Sequence, residues 1–384
     1  MNIQLPPLSL YLHLPWCVRK CPYCDFNSHT AGDNAPRSRY VAALLDDLAN
    51  EAVRADSRAI ESIFIGGGTP SLFAPEEIER ILEAAKNVLE VAADCEITME
   101  GNPGTVERGD LAGFRRAGVN RMSLGAQSFD KEMLRTLGRI HGPEEILAAY
   151  DDACTAGFDS INIDLMFALP GQTLPMAIED VAQVCGLQPP HVSYYQLTLE
   201  PNTVFFKRPP ENLPDDDLSW EIQEQGQELL DQAGYQQYEI SAFAREGHRC
   251  RHNLNYWTFG DYLAVGAGAH GKVTGLDGVI RRYQKPAHPL TYIEQMSQGT
   301  FRPSLQTLNE EDVGFEYLLN ALRLPAGFSE SAFSRRTGLT MDAIEAPLAK
   351  AKADGLIQES TSGVWQPTAL GFRFLNDLQA RFLP

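Results

Sequence analysis

The stretch YLHLPWCVRKCPYCDFNSH, residues 11–29, decides how this chain is read. Cys17, Cys21 and Cys24 stand in a C-x3-C-x2-C spacing just after an apolar run, Leu8–Leu14, that reads as a first strand. Three thiolates on one short loop can hold three irons of a cubane 4Fe–4S cluster, which a fourth thiolate closes in ferredoxins. Two positions after the third cysteine stands Phe26, so the spacing leaves one iron open to an exchangeable ligand. A disulfide and a zinc site are the competing readings. Disulfides belong with secreted chains, and MNIQLPPLSLYLHLP has neither the basic start nor the cleavage site of a signal peptide. Structural zinc wants four ligands, usually as two pairs. His29 could be a fourth ligand, but no second pair follows.

Outward from the loop, short apolar runs alternate with helical patterns. Strands are expected at Leu8–Leu14, Ser62–Gly66, Glu96–Glu100, Arg121–Gln127, Ser160–Phe167 and His191–Leu199. Amphipathic stretches such as Tyr40–Arg54 and Pro75–Leu89 lie between them. Pro75 with Glu76 and Glu77 makes a good helix start, with acids at the positive end of the dipole. This βα rhythm implies an α/β fold, a parallel sheet with helical crossovers. A partial (β/α) barrel fits it best, and a doubly wound sheet is the alternative.

In a (β/α) barrel, sites form at the C-terminal ends of the strands. The cysteine loop follows the first strand, and Gly66-Gly67-Gly68-Thr69-Pro70 follows the second. Glu100 ends the third in EGNP, Gln127 ends the fourth in GAQSF, and Asp164 lies in the fifth, in NIDLMF. Each alone has an ordinary explanation: glycine frees a turn, and a polar residue in a strand can be a satisfied structural contact. Their shared place on one barrel face makes them candidates together.

The core is expected over residues 1–200, an extension over 201–309 and a separate tail over 310–384. The extension holds HNLNYW, residues 252–257, and GAGAHG, residues 266–271. The tail carries helical patterns at Glu311–Leu324, Ser329–Thr337 and Met341–Asp354. Two short strands, Leu356–Glu359 and Val364–Pro367, and a last helix follow, in the order of a winged helix. Acidic residues outnumber basic ones in this tail, which favours packing or partner docking over DNA. The whole chain, 384 residues with a net charge of −19, is a poor match to a nucleic-acid binder. No apolar run is long enough to span a bilayer, and the cytoplasm is the expected location. Cys95, Cys154 and Cys185 are expected to pack as small apolar residues.

The cysteine spacing is the signature of radical S-adenosylmethionine proteins, in which the methionine amino and carboxylate groups take the open iron. The chain resembles the family of these proteins related to oxygen-independent coproporphyrinogen III oxidase, and within it the heme-chaperone branch. The likeness rests on residues 11–29, IFIGGGTPS, EITMEGNPGT, GVNRMSLGAQSF, LGRIHGP, YQLTLEPNT, HNLNYW, GDYLAVGAGAHGK and the tail. It implies Cys17, Cys21 and Cys24 as cluster ligands, with Tyr11 and Tyr23 beside the cluster and its adenosyl ligand. It implies Gly67, Gly68 and Thr69 at the methionine end of S-adenosylmethionine, and Glu100, Gln127, Arg139 and Asp164 as polar contacts. A carboxylate such as Asp164 suits ribose hydroxyls, and Arg139 suits an anionic group.

One departure bears on function. The oxidase has a further cysteine where this chain has Phe26, and the chaperone branch does not. The resemblance therefore implies a carrier that binds heme and delivers it to acceptor apoproteins of the respiratory chain, with no catalytic residue assigned. The alternative is an oxidoreductase acting on coproporphyrinogen III, and a third is radical chemistry on another substrate. His252 is the candidate axial ligand to heme iron. Tyr256 and Trp257 are candidates to stack on the macrocycle, and Cys250 offers a thiolate nearby. His270 reads as structural or as a contact near the adenosyl pocket, and the pair Tyr194-Tyr195 as barrel lining.

Overall fold

The computed structural model describes residues 5–32, 35–104, 109–361 and 363–384. Met1–Gln4 of the opening stretch and Thr105, which ends the EITMEGNPGT block, lie outside the described residues. Strands β1 (Leu8–Leu14), β2 (Ile60–Gly67), β3 (Val91–Gly101), β4 (Arg121–Gln127), β5 (Ser160–Phe167) and β6 (His191–Gln196) lie side by side in sequence order, all parallel. Helices cover the outer face. In the helix Pro75–Val88, Ile78, Ile81, Leu82 and Ala85 recur at helical spacing and are all buried. Each isoleucine or leucine so buried contributes roughly 1.5–3 kcal/mol. The helix begins where Pro75 takes the first position and Glu77 accepts from the Ala74 amide at 3.0 Å.

The first strands and crossovers match the sequence reading, with shifted ends. β3 starts at Val91 rather than Glu96, because Val91 pairs with Ile60 beyond a register shift. Long-range pairing there outweighs the poor strand propensity of Ala92, Ala93 and Asp94. β6 stops at Gln196, short of Leu199.

The segment after residue 200 supplies both flanks of the sheet. β7 (Gln236–Glu239) and β8 (Ala242–Ala244) add antiparallel strands beyond β6. β9 (Asp261–Val265) runs parallel to β1, from Leu8↔Asp261 to Leu12↔Val265. β10 (His270–Thr274), β11 (Ile280–Gln284) and β12 (Gln306–Thr307) follow antiparallel, giving a twelve-stranded sheet among the described residues. The curved sheet encloses a polar interior rather than stacked aliphatic layers. Arg121 on β4 and Thr98 opposite it on β3 are buried, and Arg121 Nε and Thr98 Oγ1 lack a hydrogen-bond partner among the described residues.

The tail begins at Asn309, whose side chain caps the helix Glu310–Ala321. Helices Glu330–Thr337 and Glu345–Ala353 follow, with β13 (Phe328–Ser329), β14 (Ile357–Thr361) and β15 (Val364–Pro367) forming a three-stranded sheet. This is the expected winged-helix order, except that the last helix is split at Phe374 into Ala369–Arg373 and Leu375–Ala380. Phe259 and Ile280 join the tail's core, so tail and barrel share one apolar cluster. Arg323 reaches Glu239 with its Nε at 2.8 Å from the carboxylate, and Arg282 pairs with Glu316. These contacts fit a packing role. Cys95 is buried as expected, but Cys154 is exposed. Its position on the helix Pro143–Thr155 falls outside the buried stripe of Ile146, Ala149, Tyr150 and Ala153.

Candidate functional site

The C-terminal ends of β1 to β6 open on one cavity of about 330 Å3. Cys17, Cys21, Cys24, Tyr23, Gly67, Gly68, Thr69, Glu100, Gln127, Arg139 and Asp164 all line it. Tyr11 lies outside the lining. Its hydroxyl is 3.0 Å from His13 Nδ1, and its ring stacks near Phe64 at 6.3 Å between centroids.

The cysteine loop is braced at several points. Trp16–Cys17 pairs in parallel with His29–Thr30, the Cys24 amide donates to Cys21 O at 3.2 Å, and Lys20 Nζ donates to Phe26 O at 2.9 Å. The second loop locks onto the first: the Gly68 amide donates to Leu14 O and the Thr69 amide to Trp16 O, each at 2.8 Å. A Cβ on Gly68 would stand 2.7 Å from Pro15 C and Trp16 O, so glycine is required for that approach. Gly67 has φ +111°, and a Cβ there would meet the His13 ring at 2.4 Å.

Gln127 sits where β4 bulges and takes φ +73°. The turn brings its Oε1 within 2.8 Å of Tyr195 Oη, which donates. Tyr195 lines the cavity, as expected, but Tyr194 faces away and donates to Ile222 O at 3.3 Å. Alternation along a strand separates the pair.

Two carboxylates face inward. Burial pushes Glu100 up to about 7, with Asp164 adding to the rise and the Gly67 amide opposing it. Burial also raises Asp164, against hydrogen bonds from Asn162, Ser193 and Ser123. Burial holds the Cys17 thiol up at about 11 and raises that of Cys24. Iron must displace those protons to bind the sulfurs.

Asn102 is a site residue that the sequence reading missed. Its Nδ2 donates to Thr69 Oγ1 at 3.1 Å, and its Oδ1 accepts from Arg139 Nη2 at 2.5 Å. Arg139 Nη2 also donates to Gly125 O at 2.9 Å, and Nη1 points to Cys21 Sγ at 3.6 Å. Asn102 thus ties the loop after β2 to the cysteine loop through Arg139. The only local signal was its place between Gly101 and Pro103 in the block containing Glu100.

The HNLNYW residues lie elsewhere. Their helix, Arg251–Trp257, packs against the N-terminal ends of the strands. Its first amides, Arg251 and His252, each donate to Glu96 at 3.0 Å. His252 is buried, with Nδ1 3.0 Å from Ser62 Oγ and its ring 5.1 Å from that of Phe64. Burial, reinforced by Arg121, lowers it to about 3, so the imidazole is neutral. Asn255 Nδ2 donates to Ser9 Oγ at 2.8 Å and Asp261 O at 2.9 Å.

Trp257 already carries the Arg323 guanidinium 4.3 Å above its ring, and Tyr256 packs 4.9 Å from Tyr262. Cys250 is no ready thiolate: burial pushes it up to about 12 and its thiol donates to Glu96 at 3.5 Å. His270 is exposed, beside Asn27 and Gly268 in a separate surface pocket.

Among the described residues, no three His, Cys, Asp or Glu side chains form a site for a single metal ion. The three thiols border one cavity singly, an arrangement that suits a cluster taking one thiolate per iron. The donor set fits the group.

Comparison with known proteins gives the same outline. Residues 11–184 match the radical SAM superfamily and residues 308–374 the HemN C-terminal domain. The chain is 50% identical over 381 residues to the heme chaperone HemW of Escherichia coli, covering 99% of each chain. It is 47% identical to the heme chaperone HemW of Haemophilus influenzae, again over 99% of each. It is 34% identical to that of Bacillus subtilis, over 93% of this chain and 94% of the other. The solved structure of coproporphyrinogen III oxidase (HemN) from Escherichia coli superposes with a TM-score of 0.83 at 24% identity. That match covers 98% of this chain and 90% of the oxidase, and shows a shared fold.

Proposed function

We propose that this chain, which belongs to the radical SAM superfamily and within it to the HemW family, binds heme and hands it to acceptor apoproteins. The observation that carries this reading is the 50% identity to a heme chaperone along 99% of both chains. Phe26, where the related oxidase has a cysteine, supports a carrier over the oxidase.

In this reading, Cys17, Cys21 and Cys24 each give a thiolate to one iron of a 4Fe–4S cluster, leaving the fourth iron for S-adenosylmethionine. Bound there, S-adenosylmethionine is a source of a 5′-deoxyadenosyl radical on one-electron reduction. Gly67, Gly68 and Thr69 hold its methionine end, and Arg139 offers a cation to its carboxylate. Glu100 and Asp164 offer acceptors to hydroxyl groups, Gln127 presents a polar amide, Tyr23 walls the pocket, and Tyr11 stands behind it against His13 and Phe64.

His252 is the side chain we propose for heme iron. A neutral imidazole is the form that ligates a metal, and its second ring nitrogen is ordinarily held by a hydrogen bond. The Nδ1 contact with Ser62 supplies that bond and leaves Nε2 for iron. Because the ring is buried, ligation requires the helix Arg251–Trp257 to part from the strands it covers. Acceptors in the respiratory chain and a cytoplasmic location complete the reading. No helix among the described residues is long and apolar enough to cross a membrane.

The test is an anaerobic heme titration of the cluster-loaded protein, followed by visible absorption, with His252→Ala in parallel. Saturable one-to-one binding that weakens or changes spectrum in the variant is expected. Binding unaffected by the variant would move the heme site, and no specific binding would remove the carrier reading.

A further inference from the structure

We infer that Arg139 sets the reduction potential of the iron–sulfur cluster, with Asn102 holding it in position, in addition to any contact with the adenosyl ligand. The inference rests on the cluster reading above, and its own evidence is the orientation of one guanidinium. Arg139 comes from the loop after the helix Lys131–Thr136, far in sequence from the cysteines. Its Nη2 is held between Asn102 Oδ1 at 2.5 Å and Gly125 O at 2.9 Å. Those two acceptors fix the plane of the fork. The remaining arm, Nη1, is thereby aimed at Cys21 Sγ, 3.6 Å away.

A guanidinium keeps its charge at any working pH and presents its donors rigidly. Reduction adds one electron, and one negative charge, to the cluster. A cation donating to a cluster sulfur therefore binds the reduced form more strongly than the oxidised form. Hydrogen bonds to the sulfurs and local charge are recognised controls of cluster potential. In a low-dielectric pocket a charge-assisted bond is stronger than in water. Asn102 is a positioning residue here, because it acts only through Arg139. Its second bond, to Thr69 Oγ1 at 3.1 Å, ties the same brace to the loop after β2.

The test is an anaerobic redox titration of reconstituted protein, without S-adenosylmethionine or heme, using dithionite as the one-electron reductant. The reduced cluster is read by electron paramagnetic resonance, and iron is counted in each sample. Arg139→Met should lower the reduced-to-oxidised ratio at fixed potential by about tenfold, a midpoint roughly 59 mV more negative for a one-electron couple. Arg139→Lys keeps the charge but not the braced fork, and should recover part of the shift. Asn102→Ala should move the midpoint in the same direction with Arg139 still present. It also provides the reading if Arg139→Met fails to assemble a cluster. Wild-type midpoints in variants with full iron content would overturn the role assigned to Arg139. Failure of the wild-type protein to take up a cluster would instead overturn the cluster reading on which it rests.

Discussion

The amide of Gly67 donates to Glu100 Oε2 at 3.1 Å, joining the glycine turn after β2 to the last acid of β3. The bond holds a carboxylate that burial and Asp164 push up to about 7. The sign follows from linkage: with its folded value above its usual 4.5, Glu100 stabilises the fold in its neutral form. That stability is complete below about 4.5 and is lost as pH rises through about 7. Glu100→Gln keeps an acceptor for Gly67 without the charge. Thermal unfolding should show the variant gaining stability relative to wild type at pH 8 and little at pH 5. The same variant should bind S-adenosylmethionine about tenfold more weakly, the loss of one hydrogen bond to a charged acceptor.

Cys21→Ser tests the cluster itself. Cys21 lies between Cys17 and Cys24 in the loop and faces Arg139 Nη1. A serine cannot replace its thiolate as an iron ligand of comparable softness. Reconstituted variant protein should lose most of its bound iron and the broad absorbance at roughly 400 nm expected of thiolate-ligated iron. Full iron content in the variant would remove the assignment.

Gly68→Ala places a methyl group against backbone rather than a movable side chain. The nearest atoms are Pro15 C and Trp16 O at 2.7 Å and Trp16 N at 2.8 Å. These residues lead directly into Cys17, so relief of the clash displaces the first cysteine. Overpacking of this kind costs about 1–3 kcal/mol. A lower melting temperature together with reduced cluster content is expected. A variant with wild-type iron content and stability would show that the two loops can separate freely.

What the sequence disclosed, and what it withheld, follows from the range of the interactions. The first six strands were readable because each is a short apolar run bounded by turn residues, a local pattern. The lining of the cavity was readable because strand ends in a (β/α) barrel converge, so Thr69, Glu100 and Asp164 could be grouped without knowing their distances. β9 was not readable as a barrel strand. Asp261–Val265 lies in a glycine- and aromatic-rich stretch, and only its pairing with Leu8–Leu12 makes it part of the sheet. Asn102 was missed for the same reason, since both its partners, Thr69 and Arg139, come from other loops. The burial of His252 under its own helix also depends on a distant residue, Ser62.

Lys285 offers the last test, one of how the flank contributed by the second half of the chain is secured. Its side chain is fully buried and donates to Asp47 Oδ1 at 2.5 Å and Glu51 Oε1 at 2.7 Å. Asp47 in turn accepts from Tyr292 Oη at 2.8 Å and from the Gly266 amide at 3.2 Å, at the start of GAGAHG. Lys285→Met would leave Asp47 buried without its cation and Glu51 with Arg54 alone, at 3.3 Å. Removing one partner of a buried ion pair costs about 3–5 kcal/mol, because the remaining charge stays desolvated. The variant should therefore unfold at a markedly lower denaturant concentration. Adding Asp47→Asn and Glu51→Gln to it should return much of that loss, because the buried negative charge is then gone. If the triple variant is no more stable than Lys285→Met alone, the cost arises from lost packing and not from stranded charge.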